Sequence, residues 1–209
     1  MDAPTYILEQ GLSARGHLRI VGIDEVGRGP LAGPVTAAAV VLDPGRIPEG
    51  LNDSKKLSAK TRRRLADVLH AHHEVSIGEA SVEEIDRLNI LRASHLAMQR
   101  AVAGLSAPPD FALVDGHLLP VLSCGAQPVV KGDTLCLSIA AASIVAKTWR
   151  DQGMVTLAQQ HAGYGWETNV GYGTAAHLAA LKSLGVTPHH RRSFKPVHNI
   201  LYQTIYPSA

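Results

Sequence analysis

The sequence predicts an α/β fold built on a mixed central sheet, and three observations carry that expectation. Short apolar runs alternate along the chain with amphipathic stretches of helical period. Residues 19–24 and 35–42 are dense in β-branched and small apolar side chains, as strands covered on both faces require. The link between them is short and rich in Gly and Pro, which makes them antiparallel neighbours. Two later apolar runs, ending in Asp115-Gly116 and Gly132-Asp133, repeat the way the first runs out into Asp24-Glu25.

The 209 residues are enough for one domain, residues 1–209, with a full hydrophobic core. A net charge of +2 means that any nucleic-acid binding must come from local basic patches rather than from a globally basic surface. Cys124 and Cys136 are too few for a disulfide framework and lack zinc-ligand spacing, so they read as reduced thiols. No apolar run approaches the ~20 residues of a membrane span. Residues 1–18 lack the basic-then-apolar pattern of a secretory signal, so a cytoplasmic protein is expected.

Element by element, residues 1–18 predict at most a short helix. After the first strand pair, Asp43-Pro44-Gly45 turns the chain. The polar stretch Leu51-Asn52-Asp53-Ser54-Lys55-Lys56-Leu57-Ser58 leads into a helix over about 59–72. Ser58 is its N-cap, Leu65, Val68 and Leu69 its buried stripe, and Arg62, Arg63 and Arg64 its solvated side. His70, His72 and His73 crowd the end of that helix, where the dipole favours them. A short strand is expected over 74–80. Ser81-Val82-Glu83-Glu84 is a capping box, and a further helix over about 90–105 would bury Leu91, His95, Met98, Val102 and Leu105. Strands are expected over 111–115 and 128–133, then a long Ala-rich helix over about 138–160 with Lys147, Arg150 and Asp151 on its polar side. A Gly/aromatic loop follows. Thr174 caps a helix that Gly185 stops, and the basic loop Pro188-His189-His190-Arg191-Arg192-Ser193-Phe194 precedes a last short helix.

One strand-end Asp would be turn chemistry. Three, with Glu25 beside the first, are better explained by convergence at one point. Asp24, Glu25, Asp115 and Asp133 offer hard oxygen ligands without sulfur or clustered imidazole, a set suited to Mg2+ or Mn2+. Such acids repel one another unless cations neutralise them. Two divalent ions about 3.5–4 Å apart would do so and would activate water against a phosphodiester. Gly27 and Gly29 let the backbone turn sharply beside Arg28 and approach a ligand closely. A dinucleotide enzyme is disfavoured, because neither Gly27-Arg28-Gly29 nor Lys131-Gly132-Asp133-Thr134 matches a G-x-G-x-x-G or Walker pattern. A non-catalytic nucleic-acid-binding module would leave four acids unexplained in a groove that must attract phosphate.

The chain resembles bacterial ribonuclease HII, the type 2 ribonucleases H, over nearly its whole length. The resemblance is carried by residues 22–35, Asn52-Asp53-Ser54-Lys55-Lys56-Leu57, Val114-Asp115-Gly116, Lys131-Gly132-Asp133, Ala141-Ala142-Ser143-Ile144-Val145-Ala146-Lys147, Gly171-Tyr172-Gly173-Thr174 and residues 190–197. It implies a ribonuclease H-like fold, with a mixed five-stranded sheet flanked by helices and a small helical C-terminal part from about residue 174. It implies hydrolysis of the RNA strand of RNA–DNA hybrids, and incision 5′ of single ribonucleotides embedded in duplex DNA, leaving 3′-hydroxyl and 5′-phosphate ends. Asp24, Glu25, Asp115 and Asp133 would be the metal-binding catalytic acids, holding Mg2+ or Mn2+, two ions during catalysis. Gly27, Arg28 and Gly29 would sense the 2′-hydroxyl, mostly through backbone groups. Tyr172 would stack on the sugar of the next deoxynucleotide, and Lys55, Ser143, Lys147, Arg191 and Ser193 would contact phosphates and backbone. The expected partner is hybrid or ribonucleotide-containing duplex DNA, met by a monomer; recruitment by a sliding clamp is left open. The short N-terminus argues against the sister type, ribonuclease HIII. One departure stands out: Val170 replaces the lysine common before the Gly-Tyr pair, which predicts weaker binding or a flatter salt dependence.

Overall fold

The computed structural model describes residues 3–203. In chain order the elements are α1 (Ile7–Ser13), β1 (Ile20–Val26), β2 (Val35–Val41), α2 (Ala59–His72), β3 (Glu74–Ala80), α3 (Val82–Leu88) and α4 (Ile90–Ala103). Then come β4 (Phe111–Asp115), β5 (Gly125–Val129), α5 (Leu137–Gln160), α6 (Trp166–Asn169), α7 (Ala175–Leu184) and α8 (Lys195–Gln203). Among the described residues, no helix is long and apolar enough to cross a membrane.

The chain divides into two compact units. The first comprises the described residues of Met1–Val26, Thr36–Glu79 and Ser94–Thr148. Its five-stranded mixed sheet has the order β3-β2-β1-β4-β5. β1 pairs antiparallel with β2, as the short Gly/Pro link requires, and parallel with β4, which is in turn parallel to β5. Because Ile23 stands opposite Val114, Asp24 and Asp115 follow next in each strand, at the carboxyl ends of two parallel neighbours. The carboxyl ends of parallel strands are where open α/β sheets place ligands.

Small residues set the packing distances here. Ala38, Val40 and Leu42 form one core with Leu65, Ala66 and Leu69 of α2 and the Ala-rich face of α5. α5 lies so close to β1 that a Cβ on Gly22 would overlap the backbone at Ser138. Glu9, buried on α1, accepts from both the amide (2.9 Å) and the hydroxyl (2.6 Å) of Ser138, capping that end of α5.

Several sequence expectations change on inspection. β5 begins at Gly125, and Pro128, which has no N–H to give, is tolerated because β5 is an edge strand. Asp133 therefore does not end a strand; it sits in a 3-10 turn, Gly132–Thr134, entered through left-handed Lys131. α4 buries Ala93, Ser94, Ala97, Met98, Ala101 and Val102 rather than the stripe through Leu91 and His95. Gly78 of β3 explains this, since any Cβ there would strike the α4 backbone at Ala97 and Ala101, so small residues must face the strand. Arg62 does not lie on a solvated face: its guanidinium donates to the carbonyls of Ser54 (3.0 Å) and Leu57 (2.7 Å), holding the 51–57 stretch onto α2. His73 is no helix-end cation either. Its Nδ1 accepts from the Asp43 amide at 3.0 Å, and burial lowers its pKa.

The second unit comprises Gly27–Val35, Ala80–Ala93 and the described residues of Trp149–Ala209. Its core gathers Leu31, Ala32, Met154, Tyr164, Trp166, Ala180, Leu181 and Val197. Ser81 and Glu84 complete the expected capping box on α3, and Thr174 caps α7. Arg150, placed by the sequence on the polar side of α5, is instead 1% exposed.

Gly22→Ala should destabilise the protein by about 1–3 kcal/mol, the range for an overpacked core site, because its new methyl meets backbone that cannot rotate away. A urea titration measures this; an unchanged midpoint would refute the close approach of α5 to β1.

Candidate active site

Four acids in the first unit form one electrostatic set. Asp24 is 7% exposed, and its pKa is raised well above the ordinary value. Burial is the main cause, followed by the charges of Glu25 and Asp115, with Asp133 also contributing; a hydrogen bond from Ser143 partly opposes them. Asp133, equally buried, is also raised, by burial and then by Asp53 and Asp115. The Asp24 carboxylate accepts from the Glu25 amide at 2.7 Å, and Asp115 accepts from the Gly132 amide at 2.7 Å. The second bond ties the end of β4 to the turn that carries Asp133, and it explains how an acid outside any strand joins the set. Among the described residues no three acidic, imidazole or thiol side chains are gathered closely enough to hold one ion between them. The acids share a field without forming a closed cage.

That field is cation-seeking, which is the fit that Mg2+ or Mn2+ requires of all-oxygen donors. Lys55 responds to it. Partial burial would lower its pKa, but Asp53, Asp133, Asp24 and Asp115 together outweigh burial and raise it. Ser143, buried on α5, shares a 2.8 Å hydrogen bond with Ser54 and so joins α5 to the 52–57 stretch. Lys147, one turn further on, is half-buried. Sequence reasoning passed over Asp53, which hydrogen-bonds Asp133 and also accepts from the Lys55 amide at 2.9 Å. Its position beside Ser54-Lys55 in the sequence was the available signal.

The second unit holds the Gly27-Arg28-Gly29 loop. Gly27 has φ +93°, and a Cβ there would overlap the Arg150 side chain; a Cβ on Gly29 would lie 3.2 Å from the Tyr172 ring. The glycines are thus required from inside the protein as well as by any ligand outside it. Arg191, fully buried, donates to the carbonyls of Gly27 (2.6 Å), Arg28 (3.0 Å), Gly33 (2.9 Å) and Pro34 (3.2 Å). Arg150 adds the carbonyls of Ala32 (3.1 Å), Pro34 (3.0 Å) and Val170 (3.0 Å). In a trans peptide C=O and N–H point in opposite directions. Fixing the oxygens of Gly27 and Arg28 on Arg191 therefore aims the amides of Arg28 and Gly29 away from it. Burial, then the Arg150 charge, brings the Arg191 pKa down to about 9, so the guanidinium stays charged at neutral pH. The expectation that Arg191 reaches a phosphate is revised: its donors are committed to the loop. Ser193 is likewise engaged, its hydroxyl donating to Asp86 at 2.6 Å.

Tyr172 is 46% exposed, with its ring against Gly29. Its carbonyl accepts from Nδ1 of His177 at 2.9 Å. Nε2 of His177 then has no proton and receives both Trp166 Nε1–H (3.1 Å) and His190 Nε2–H (3.0 Å). Nδ1 of His190 accepts from the amide and hydroxyl of Thr187. Both imidazoles are fully buried and neutral. Burial lowers the pKa of His177, and burial with the neighbouring His177 takes His190 to about 4. Val170, read as a lost surface charge, is half-buried against the core of this unit and left-handed, with φ +44°.

A family model and named relatives point to one family. The family model described as Ribonuclease HII matches residues 21–197. A protein named Ribonuclease HII from Ruegeria pomeroyi is 72% identical over 204 residues, covering 97% of this chain and 87% of its own. Among solved structures, the ribonuclease H2 of Pyrococcus horikoshii superimposes with a TM-score of 0.76 at 24% identity, covering 91% of this chain and 100% of its own. The Archaeoglobus fulgidus ribonuclease HII, solved in complex with PCNA, gives 0.74 at 26% identity, covering 85% and 96%.

The buried imidazoles carry a pH signature. Unfolded histidine titrates near 6.5, so lowering the pH from about 6.5 to about 4 lets the unfolded chain take up protons that folded His190 refuses; stability falls over that window, by up to about 3 kcal/mol. The raised carboxyls of Asp24 and Asp133 act with the opposite sign. The histidine share is therefore read as the difference between the pH–stability curves of wild type and His190→Asn. Imidazole nitrogen NMR at pH 7 should find His177 as the Nδ1–H tautomer and His190 as the Nε2–H tautomer. The opposite assignment would refute the network.

Proposed function

This chain belongs to the ribonuclease HII family, and from that premise we propose that it hydrolyses the RNA strand of RNA–DNA hybrids. It also incises duplex DNA 5′ of a single embedded ribonucleotide, leaving 3′-hydroxyl and 5′-phosphate ends, and it acts as a monomer in the bacterial cytoplasm. The observation that carries the reading is the raised, crowded carboxyl of Asp24 among Glu25, Asp115 and Asp133. A group so placed is stable as an anion only when a cation meets it.

Asp24, Glu25, Asp115 and Asp133 would hold Mg2+ or Mn2+. Two such ions, when bound, supply a water of lowered pKa and stabilise charge on the leaving oxygen. The chain's own residues then bind and orient. Ser143 steers the Asp24 carboxylate through its hydrogen bond, whereas Asp53, beside Asp133, adds negative charge to the set. Lys55, kept protonated by the surrounding acids, and Lys147 offer charge to the phosphate backbone. The amides of Arg28 and Gly29, turned outward by Arg191, suit the 2′-hydroxyl, the group that separates RNA from DNA at one position. Tyr172 presents an exposed ring face to the neighbouring sugar. Arg191 and Ser193 serve the substrate through the protein rather than by touching it.

Asp24→Asn should abolish cleavage while hybrid binding persists, measured by gel mobility alongside a cleavage assay; turnover near wild type would remove Asp24 from the site. Wild-type protein should nick a duplex with one ribonucleotide and leave its all-DNA counterpart whole. Retention of both duplexes without cutting would instead identify a binding module. Val170→Lys should steepen the salt dependence of binding by about one unit of slope, as one added phosphate contact does. An unchanged slope would mean that position 170 does not face the backbone of the substrate.

A further inference from the structure

The bonds of the His177–His190 pair converge on the backbone of Tyr172. Tyr172 follows two left-handed residues, Val170 and Gly171, and each carbonyl of this short turn is held separately. The Val170 oxygen accepts from Arg150 at 3.0 Å, the Gly171 oxygen from the Leu31 amide at 2.7 Å, and the Tyr172 oxygen from His177 and from the Thr174 amide at 2.8 Å. Of these donors, His177 alone is fixed by a second buried side chain of adjustable protonation, His190. His190 is followed directly by Arg191, whose guanidinium holds Gly27 and Arg28, and whose amide donates to Leu31 at 2.8 Å. One dipeptide thus reaches both the Gly-Arg-Gly loop and, through His177, the tyrosine that stands against Gly29.

We propose that His177 and His190 are positioning residues that set Tyr172 against the Gly27-Arg28-Gly29 loop, and so set the preference for a ribonucleotide–deoxynucleotide junction over a continuous hybrid. The inference rests on the reading of Tyr172 and the loop given above. At a lone ribonucleotide, the protein must register one 2′-hydroxyl and the following deoxyribose together, which requires the amides of the loop and the tyrosine ring to keep a fixed separation. On a long hybrid every position offers a 2′-hydroxyl, so a displaced tyrosine costs less. The imidazole pair suits this task because the two nitrogens of His177 face opposite kinds of partner, donors at Nε2 and a carbonyl at Nδ1. Trp166 and His190 donate to one side of His177, which forces its single N–H onto Tyr172. His190 is in turn oriented by Thr187. The ring of His177 therefore acts as a rigid spacer between Trp166 and the Tyr172 carbonyl.

The test replaces His177 with two amides of different reach. Asn places its NH2 near the position of Nδ1 and keeps the bond to Tyr172; Gln places it near Nε2 and loses that bond while filling similar space. The readout is the ratio of incision at a single embedded ribonucleotide to cleavage of a long hybrid, with Mg2+ present and folding checked by thermal melting. His177→Asn should keep the wild-type ratio within about threefold, and His177→Gln should lower it about tenfold or more, the scale of loss expected when a reading group shifts by a fraction of an ångström. Equal ratios in the two variants, or parallel loss on both substrates, would overturn the inference. Should either variant fail to fold, His190 gives the comparison one bond further away with the amides exchanged: His190→Gln keeps a donor at the Nε2 position facing His177 and should hold the ratio, and His190→Asn loses it and should lower the ratio. Wild-type protein unable to incise at the single ribonucleotide would overturn the proposed function itself, a result separate from the variant ratios.

Discussion

The arrangement of the second unit depends on a buried cation that has carbonyl oxygens for company. Arg191 is fully enclosed, and its donors end on the backbone of residues 27–34. A guanidinium removed from water loses several kcal/mol of solvation that only close, well-aimed dipoles restore. Here the carbonyl dipoles do so, with Arg150 holding adjacent carbonyls of the same loop. Two like charges so near each other are unfavourable, and after burial they are the next cause of the lowered Arg191 pKa. The loop is the element that reconciles them, because its oxygens face both arginines. Its glycines follow from the same constraint: Gly27 must be left-handed and free of a side chain for Arg150 to lie beneath it.

The first unit poses the mirror-image problem. There the buried charges are negative, and burial raises Asp24 and Asp133 instead of lowering an arginine. The protein's internal response includes the Glu25 amide and Ser143 on Asp24, the Gly132 amide on Asp115, and Lys55 at longer range. Asp24 and Asp133 stay raised in spite of that response, whereas Arg191 is satisfied in place. That contrast fits the division of roles proposed here, with Arg191 holding structure and the acids awaiting a cation.

Much of this was legible in the sequence, and the failures have a common cause. The β1–β2 pair follows from its short link, and helix caps and stops are legible because Ser58, Ser81, Thr174 and Gly185 act on their own nearest neighbours. The acids were legible as residues, and two of them as strand ends. Asp133 was misplaced because an apolar run through an edge strand looks the same as one that continues past it. The arginines were misread for a deeper reason. Arg150 and Arg191 satisfy carbonyls brought by the tertiary fold from residues as far as 164 positions away, and Arg62 turns back onto carbonyls five and eight residues before it; neither case is marked in the residues beside the arginine. The stripe of α4 failed likewise, since Gly78, on another element, decides that alanines rather than leucines face the sheet.

Val170 shows how far local cost is accepted to keep Tyr172 in place. A β-branched residue at φ +44° is a real outlier, and such conformations cost of order 1–3 kcal/mol. Glycine or asparagine would relieve it, yet valine is held there by Arg150 on its carbonyl and by packing against the core around Trp166. The next residue, Gly171, is left-handed too, its amide bound by the Asn169 side chain at 2.8 Å and its carbonyl by Leu31. Two consecutive left-handed residues reverse the chain abruptly and bring Tyr172 out of the core with its carbonyl still inside, where His177 waits for it. An exposed ring on a backbone fixed at each peptide is a different object from an exposed ring on a loop. Its freedom is confined to its own side-chain torsions, the confinement that the sugar-reading role proposed for Tyr172 calls for.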